Sequence, residues 1–182
     1  GRSVGKVVLR IESHVHAFDE VYARNAHAVL GGTSGLGLLT ARWLATTARV
    51  DATMLASRSG LLVAEVRARD EWASLRAACS FACVATCNAA DATQPRQLVG
   101  ALQAVLPKLR GVWHAAGVLA DCVLPRQTAE ALARVYAPKA HGAWTLHCAF
   151  ATAIVCTHAL FSSVAALLGG VQQAAGDGEG TP

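Results

Sequence analysis

From Ala26 onward, short apolar runs alternate with longer segments in which apolar positions recur at helical spacing. The runs place strands near residues 26–31, 52–57, 81–87, 110–116 and 154–162. Helices are expected near 35–48, 61–78, 94–106, 128–135 and 139–150. Strand and helix in strict turn build a parallel sheet covered by helices on both faces, so the pattern predicts an α/β, doubly wound domain. The residues before Ala26 differ in character. A short β-like run, Lys6-Val7-Val8-Leu9-Arg10-Ile11, is followed by the polar stretch Glu12-Ser13-His14-Val15-His16, which reads as the end of one unit (1–12) and a linker (13–25). At the other end, 175–182 is a Gly-rich tail that cannot hold a fold.

One stretch leaves two readings. No Asp, Glu, Lys or Arg occurs from Ala140 to Gly176, and a membrane-spanning helix needs only about 20 apolar residues. A helix followed by a strand buried on both faces gives the same run, because parallel strands read as continuous apolar segments. His147, His158, Ser162, Ser163 and Gly169-Gly170 inside the stretch favour the second reading, with no membrane span.

Composition narrows the class. The 182 residues are 53% apolar and only 15% charged, against about 25% charged in an ordinary domain, so the chain should fold around a buried core. Its Lys and Arg are scattered rather than clustered, and a net charge of +4 gives no nucleic-acid footprint. The six cysteines, Cys79, Cys83, Cys87, Cys122, Cys148 and Cys156, form no C-x-x-C pair and no metal-ligand spacing, and read as reduced thiols of a cytoplasmic protein. Cys79, Cys83 and Cys87 recur every four residues, but Phe81 and Val84 fit a strand better than a helix. The opening residues have neither the apolar core nor the cleavage signal of a secretory peptide, so the chain is expected to begin within a longer protein.

The chemistry-bearing segment is Ala28-Val29-Leu30-Gly31-Gly32-Thr33-Ser34-Gly35-Leu36-Gly37, a glycine-rich turn between a strand and an amphipathic helix. Gly31, Gly32, Thr33, Gly35, Leu36 and Gly37 are candidates to bring backbone N–H groups against a diphosphate at the helix's positive end. Glycines also serve tight turns for purely geometric reasons, so the turn alone leaves both readings open. One strand later, Leu55-Ala56-Ser57-Arg58-Ser59-Gly60 sets a guanidinium where an adenosine ribose would lie. Arg58 with no acidic neighbour favours a 2′-phosphate, hence NADPH over NADH.

With Gly111-Val112-Trp113-His114-Ala115-Ala116-Gly117-Val118, Ala137-Pro138-Lys139-Ala140-His141-Gly142-Ala143-Trp144 and Leu160-Phe161-Ser162-Ser163-Val164-Ala165, the chain resembles the ketoreductase domain of type I polyketide and fatty acid synthases, within the short-chain dehydrogenase/reductases. The resemblance covers 26–174 and implies a Rossmann-like sheet, C-terminally truncated. It also implies reduction of a β-ketoacyl thioester to the β-hydroxyacyl product by NADPH, the acyl group riding on the phosphopantetheine arm of an acyl carrier protein among neighbouring synthase domains. The opening run is similar to the closing strand of an enoyl reductase. In the family a Ser binds the carbonyl oxygen, a Tyr donates the proton, and a Lys favours that phenol's ionisation. Ser163 and Lys139 match the first and third roles at the family's own spacing; outside that frame they would read as a helix cap and a solvated lysine. Ser57, Arg58, Asn88, Ala89, Ala115, Ala116 and Gly117 match cofactor-lining positions.

Departures from the family pattern are specific. The Tyr position, thirteen after Ser163, is Gly176, and the Asn position four further on is Gly180. The chain's tyrosines, Tyr22 and Tyr136, match neither. Resemblance ends abruptly after Ala174, which suggests a misread gene boundary and leaves a catalytically inactive cofactor-binding or structural remnant as the alternative. Asn88 replaces the Asp expected against the adenine amine, its amide oxygen remaining an acceptor. Leu30 replaces a Thr that usually opens the glycine motif. Asp121 is what remains of a stereochemical L-D-D motif, and leans the product toward the configuration associated with it.

Overall fold

The computed structural model describes residues 25–105, 108–120, 127–151 and 153–163. The regions 1–12 and 175–182, nearly all of the expected linker, Asp121 and Gly176 lie outside the described residues. Strands β1 (Ala26–Leu30), β2 (Ala52–Ser57), β3 (Phe81–Thr86), β4 (Leu109–His114) and β5 (Thr157–Leu160) alternate with helices α1 (Gly35–Thr46), α2 (Val66–Ala78), α3 (Gln94–Val105), α4 (Ala129–Tyr136) and α5 (Gly142–Phe150). All strand pairs are parallel, and the sheet order is β3-β2-β1-β4-β5. This is the doubly wound, Rossmann-like arrangement, whose direction of winding reverses between β1 and β4.

The central strands are buried throughout, and their alternating side chains feed two apolar layers. Ala28, Leu30 and Met54 meet Leu98 and Leu102 of α3 and Leu146 and Phe150 of α5. Val29 and Leu55, on the other face, meet Leu38 and Leu44 of α1 and Leu75 of α2. Full burial of each such side chain contributes about 2 kcal/mol, enough to fix strand register, since a one-residue slip would exchange the layers.

Three expectations shift. The second helix begins at Val66 rather than near 61, because Leu62 turns inward and the Val63 N–H bonds the Thr33 carbonyl at 3.4 Å, holding 61–65 as a loop. The break expected before residue 139 is absent: α4 runs through a π turn, Ala137–His141, directly into α5, and Pro138 lies in that turn, where the regular i→i−4 ladder is already interrupted. The charge-free stretch does begin as helix then strand, yet β5 is half exposed, because no strand among the described residues pairs with its outer edge. Among the described residues no helix is long and apolar enough to cross a membrane. Cys83 lies in β3 as the pattern predicts, while Cys79 caps α2 and Cys87 follows the strand.

One polar pair sits inside the sheet's core. His27 of β1 is fully buried, and the Trp113 indole N–H donates to its Nδ1 at 2.9 Å. The ring has room because its neighbour across the strands is Gly111, where any side chain would collide with it. Burial disfavours the imidazolium and pushes the His27 pKa down to about 4. The unfolded chain takes up this proton below about pH 6.5, whereas the folded one resists until about pH 4. Stability from the neutral ring is therefore whole above pH 6.5 and is lost as pH falls toward 4, by on the order of 3 kcal/mol. Urea unfolding at pH 7 and pH 4.5 should show this decline, and His27→Gln should flatten it.

Candidate functional site

The chain leaves β1 through Gly31, whose φ of 74° lies in the left-handed region. A Cβ there would stand 2.6 Å from the Ala116 backbone, so only glycine lets the β1 and β4 loops touch. Gly37, one turn into α1, packs directly on the Gly31 carbonyl and admits no side chain either. The Ala115 N–H bonds the Leu30 carbonyl at 2.8 Å, joining the β4 loop to the end of β1, and the Gly31 N–H bonds the Ala56 carbonyl of β2 at 2.7 Å.

Above this junction opens a cleft of about 960 Å³ along the carboxyl edge of the sheet. Of the sequence candidates, Gly31, Thr33, Gly35, Leu36, Gly37, Ser57, Arg58, Asn88, Ala89, Ala115, Ala116, Gly117 and Lys139 line it. Gly32 lies buried beneath, against the Val29 carbonyl and Leu55, and supports the turn rather than the cleft. At the head of α1, which borders the cleft, the Ser34 side chain makes no cap hydrogen bond and the first turn holds no acidic residue. Ser57 holds the next turn together: its hydroxyl accepts from the Gly60 N–H at 3.1 Å and meets the Ser59 hydroxyl at 3.3 Å. Arg58, exposed at the tip of this turn, forms no ion pair among the described residues.

At the end of β3, the Asn88 amide oxygen accepts from the Ala90 N–H at 3.2 Å. Beside it, Asp91 accepts from the Thr93 hydroxyl and from the N–H groups of Thr93 (2.8 Å) and Gln94 (3.1 Å). These bonds lower its pKa to about 2.

Lys139 reaches the cleft from the π turn, its Cε 3.4 Å from where a Cβ on Gly117 would stand. The turn is tethered from below by His114, a buried residue at the end of β4 whose Nε2 lies 2.8 Å from the Pro138 carbonyl. That ring nitrogen must carry the proton, since a carbonyl only accepts. Burial lowers the His114 pKa, with the Pro138 contact opposing and His158 adding to the effect. Ser163 stands three residues past β5 at the same edge, on a segment joined to β4 by the Phe161 N–H bonding the His114 carbonyl at 2.9 Å. It is exposed and outside the cleft lining.

Sequence reasoning missed several contributors: the apolar wall of Leu61, Val63, Val118 and Leu119, the tether from His114, and Gln94, whose side chain accepts from the Asn88 N–H at 2.8 Å. His114 stood inside a quoted motif without a role. A histidine closing the strand directly after Val112 and Trp113 was the available signal.

A glycine-lined cleft at the winding reversal of a parallel sheet, headed by an uncapped helix and flanked by a guanidinium, defines a dinucleotide-binding protein of the Rossmann-like class. The family model described as KR domain matches residues 25–176, and the chain belongs to that ketoreductase domain family. Members are NAD(P)-dependent oxidoreductases of polyketide synthases. The chain is 35% identical over 183 residues to a phenolphthiocerol/phthiocerol polyketide synthase of Mycobacterium tuberculosis, covering 93% of itself and 8% of that protein. It is 37% identical over 175 residues to erythronolide synthase EryA2 of Saccharopolyspora erythraea, covering 95% of itself and 4% of the relative. The chain thus spans less than a tenth of the length of these relatives. Among solved structures it is similar to the ketoreductase from the first module of phoslactomycin biosynthesis in Streptomyces sp. HK803, with a TM-score of 0.73, 31% identity, and coverage of 84% of this chain and 35% of that one.

Gly31→Ala should cost about 2 kcal/mol, from the left-handed backbone and the clash with Ala116. A denaturant titration comparing it with the exposed Gly100→Ala checks this, the latter staying neutral or stabilising because nothing stands within 4 Å of the added carbon.

Proposed function

We propose that this domain binds NADPH in the cleft and belongs to a synthase that reduces a β-ketoacyl thioester, carried on the phosphopantetheine arm of an acyl carrier protein, to the β-hydroxyacyl product. The observation that carries the reading is the meeting of an uncapped helix start, Arg58 and Lys139 on one cleft. The cofactor fits what is there: about 960 Å³ suits a dinucleotide, and at Gly35 in the lining an added Cβ would stand in open space, so bare backbone is left where a diphosphate must approach. Gly31, Thr33, Gly35, Leu36 and Gly37 would hold the diphosphate, Ser57 and Arg58 the 2′-phosphate, and Ala115, Ala116 and Gly117 the nicotinamide half. Bound there, the cofactor supplies the hydride.

In this reading the Ser163 hydroxyl donates to the carbonyl oxygen of the substrate and orients it. Lys139, beside Gly117, holds a positive charge where the alkoxide develops. Asp121 bears on product configuration. The proton donor expected from the family is replaced by Gly176, which supports a second reading of this chain as a cofactor-binding domain without turnover of its own. Neighbouring synthase domains and a cytoplasmic setting belong to the proposal.

Titration of the chain against NADPH and NADH by nicotinamide fluorescence tests it. Arg58→Ala should weaken NADPH about tenfold or more and leave NADH nearly unchanged, because a phosphate loses a charge-assisted contact worth ~1.5–3 kcal/mol. Absence of binding to either would overturn the reading. With a β-ketoacyl thioester present, NADPH oxidation should run on the order of 10²–10⁴-fold below that of a ketoreductase holding the phenol, the usual contribution of a positioned acid.

A further inference from the structure

The π turn that bears Lys139 changes which carbonyl is served by which N–H. In a regular α-helix the Gly142 N–H would bond the Pro138 carbonyl, four residues back; here it bonds the carbonyls of Ala137 and Lys139, one on either side of it. The Pro138 carbonyl receives the His114 Nε2–H instead, at 2.8 Å. His114 is 4% exposed, and its other ring nitrogen, Nδ1, is buried with no hydrogen-bond partner among the described residues. The single proton of the neutral ring is thus directed at this turn. Room for the approach comes from Gly142, where a Cβ would stand 3.2 Å from the same Nε2.

The tethered oxygen belongs to the peptide unit that joins Pro138 to Lys139. Such a unit is planar, so holding its oxygen also orients the Lys139 nitrogen and Cα, from which the side chain sets out. That side chain then passes close over Gly117 and lines the cleft. His114 does not line the cleft itself, so an effect of its ring on a ligand there has to pass through what the ring holds.

We propose that His114 is a positioning residue of this site: its Nε2–H fixes the Pro138–Lys139 peptide so that the Lys139 ammonium stands over the cleft, and its influence on cofactor affinity passes through that lysine. This step rests on the cofactor reading above. Without the donor, the turn is free to tighten toward regular pairing, with the Gly142 N–H back on Pro138, which rotates the Lys139 Cα about the helix axis. Fluorescence titration with NADPH of the wild-type chain, His114→Leu, Lys139→Met and the double variant tests this as a cycle. Lys139→Met should weaken NADPH about tenfold, as loss of one charge-assisted contact does. His114→Leu should weaken it by a similar factor alone, and by less than about twofold when Lys139 is already Met. His114→Gln, whose amide nitrogen reaches the place of the ring Nε2, should bind NADPH within about twofold of wild type, whereas His114→Asn, whose amide stops at the place of Nδ1, should resemble His114→Leu. Circular dichroism checks that each variant folds; if His114→Leu does not, the Gln and Asn variants carry the same comparison with and without Lys139. Equal losses in the two backgrounds, a Gln variant no better than the Asn variant, or Lys139→Met binding as wild type overturns the inference while leaving the cofactor reading in place. Failure of the wild-type chain to bind NADPH overturns both.

Discussion

The site depends on a contact between two backbones. Gly31 and the Ala115-Ala116 peptide approach so closely that no side chain fits between them, and Gly37 sits equally close beneath the Gly31 carbonyl. Without a Cβ at either glycine, β1 can hand the chain to α1 in one tight step, and the helix start stays level with the sheet edge. Moving that helix outward by the width of a methyl group would close off its N–H groups from the cleft and open the apolar layer between Leu38 and Val29 to water.

The rest of the sheet serves to hold that junction rigid. β1 is paired on both sides and buried along its whole length, so its end has little freedom. His27 and Trp113 add a directional bond between β1 and β4 one layer below the cleft, in a space that Gly111 leaves empty. A buried imidazole is expensive to desolvate, and its partnered nitrogen is what makes it tolerable. The next residue of β4, His114, carries the same strand's position to the turn that bears Lys139. A single strand thus sets both the floor of the cleft and one of its charged walls.

Most of this architecture was legible because parallel α/β order writes itself as alternation: five strands and the helices between them fall close to their expected places. The glycine turn and Arg58 were legible as residue types at the ends of strands, whereas Lys139 was legible only through the family resemblance. Less could be read where tertiary contacts override the local pattern. The loop 61–65 looked helical, yet it is pinned by a bond to Thr33, distant in sequence. Residues 136–138 were expected to separate two helices, and a π turn joins them instead. The orientation of the Asn88 amide depends on a backbone donor two residues on, and spacing cannot reveal it. β5 was expected to be buried on both faces, but apolar composition says nothing of whether a neighbour lies alongside.

The π turn has a geometric effect of its own. A single wider turn inserts one extra residue into a helical path, which advances the angular phase of everything after it by about 100°. The apolar positions of α4 and α5 are thereby decoupled: α5 lays Leu146 and Phe150 into the sheet's core, while α4 buries nothing and leaves Leu132 and Tyr136 facing outward. One rod is divided into two differently aimed halves, and Lys139 rides on the swivel between them.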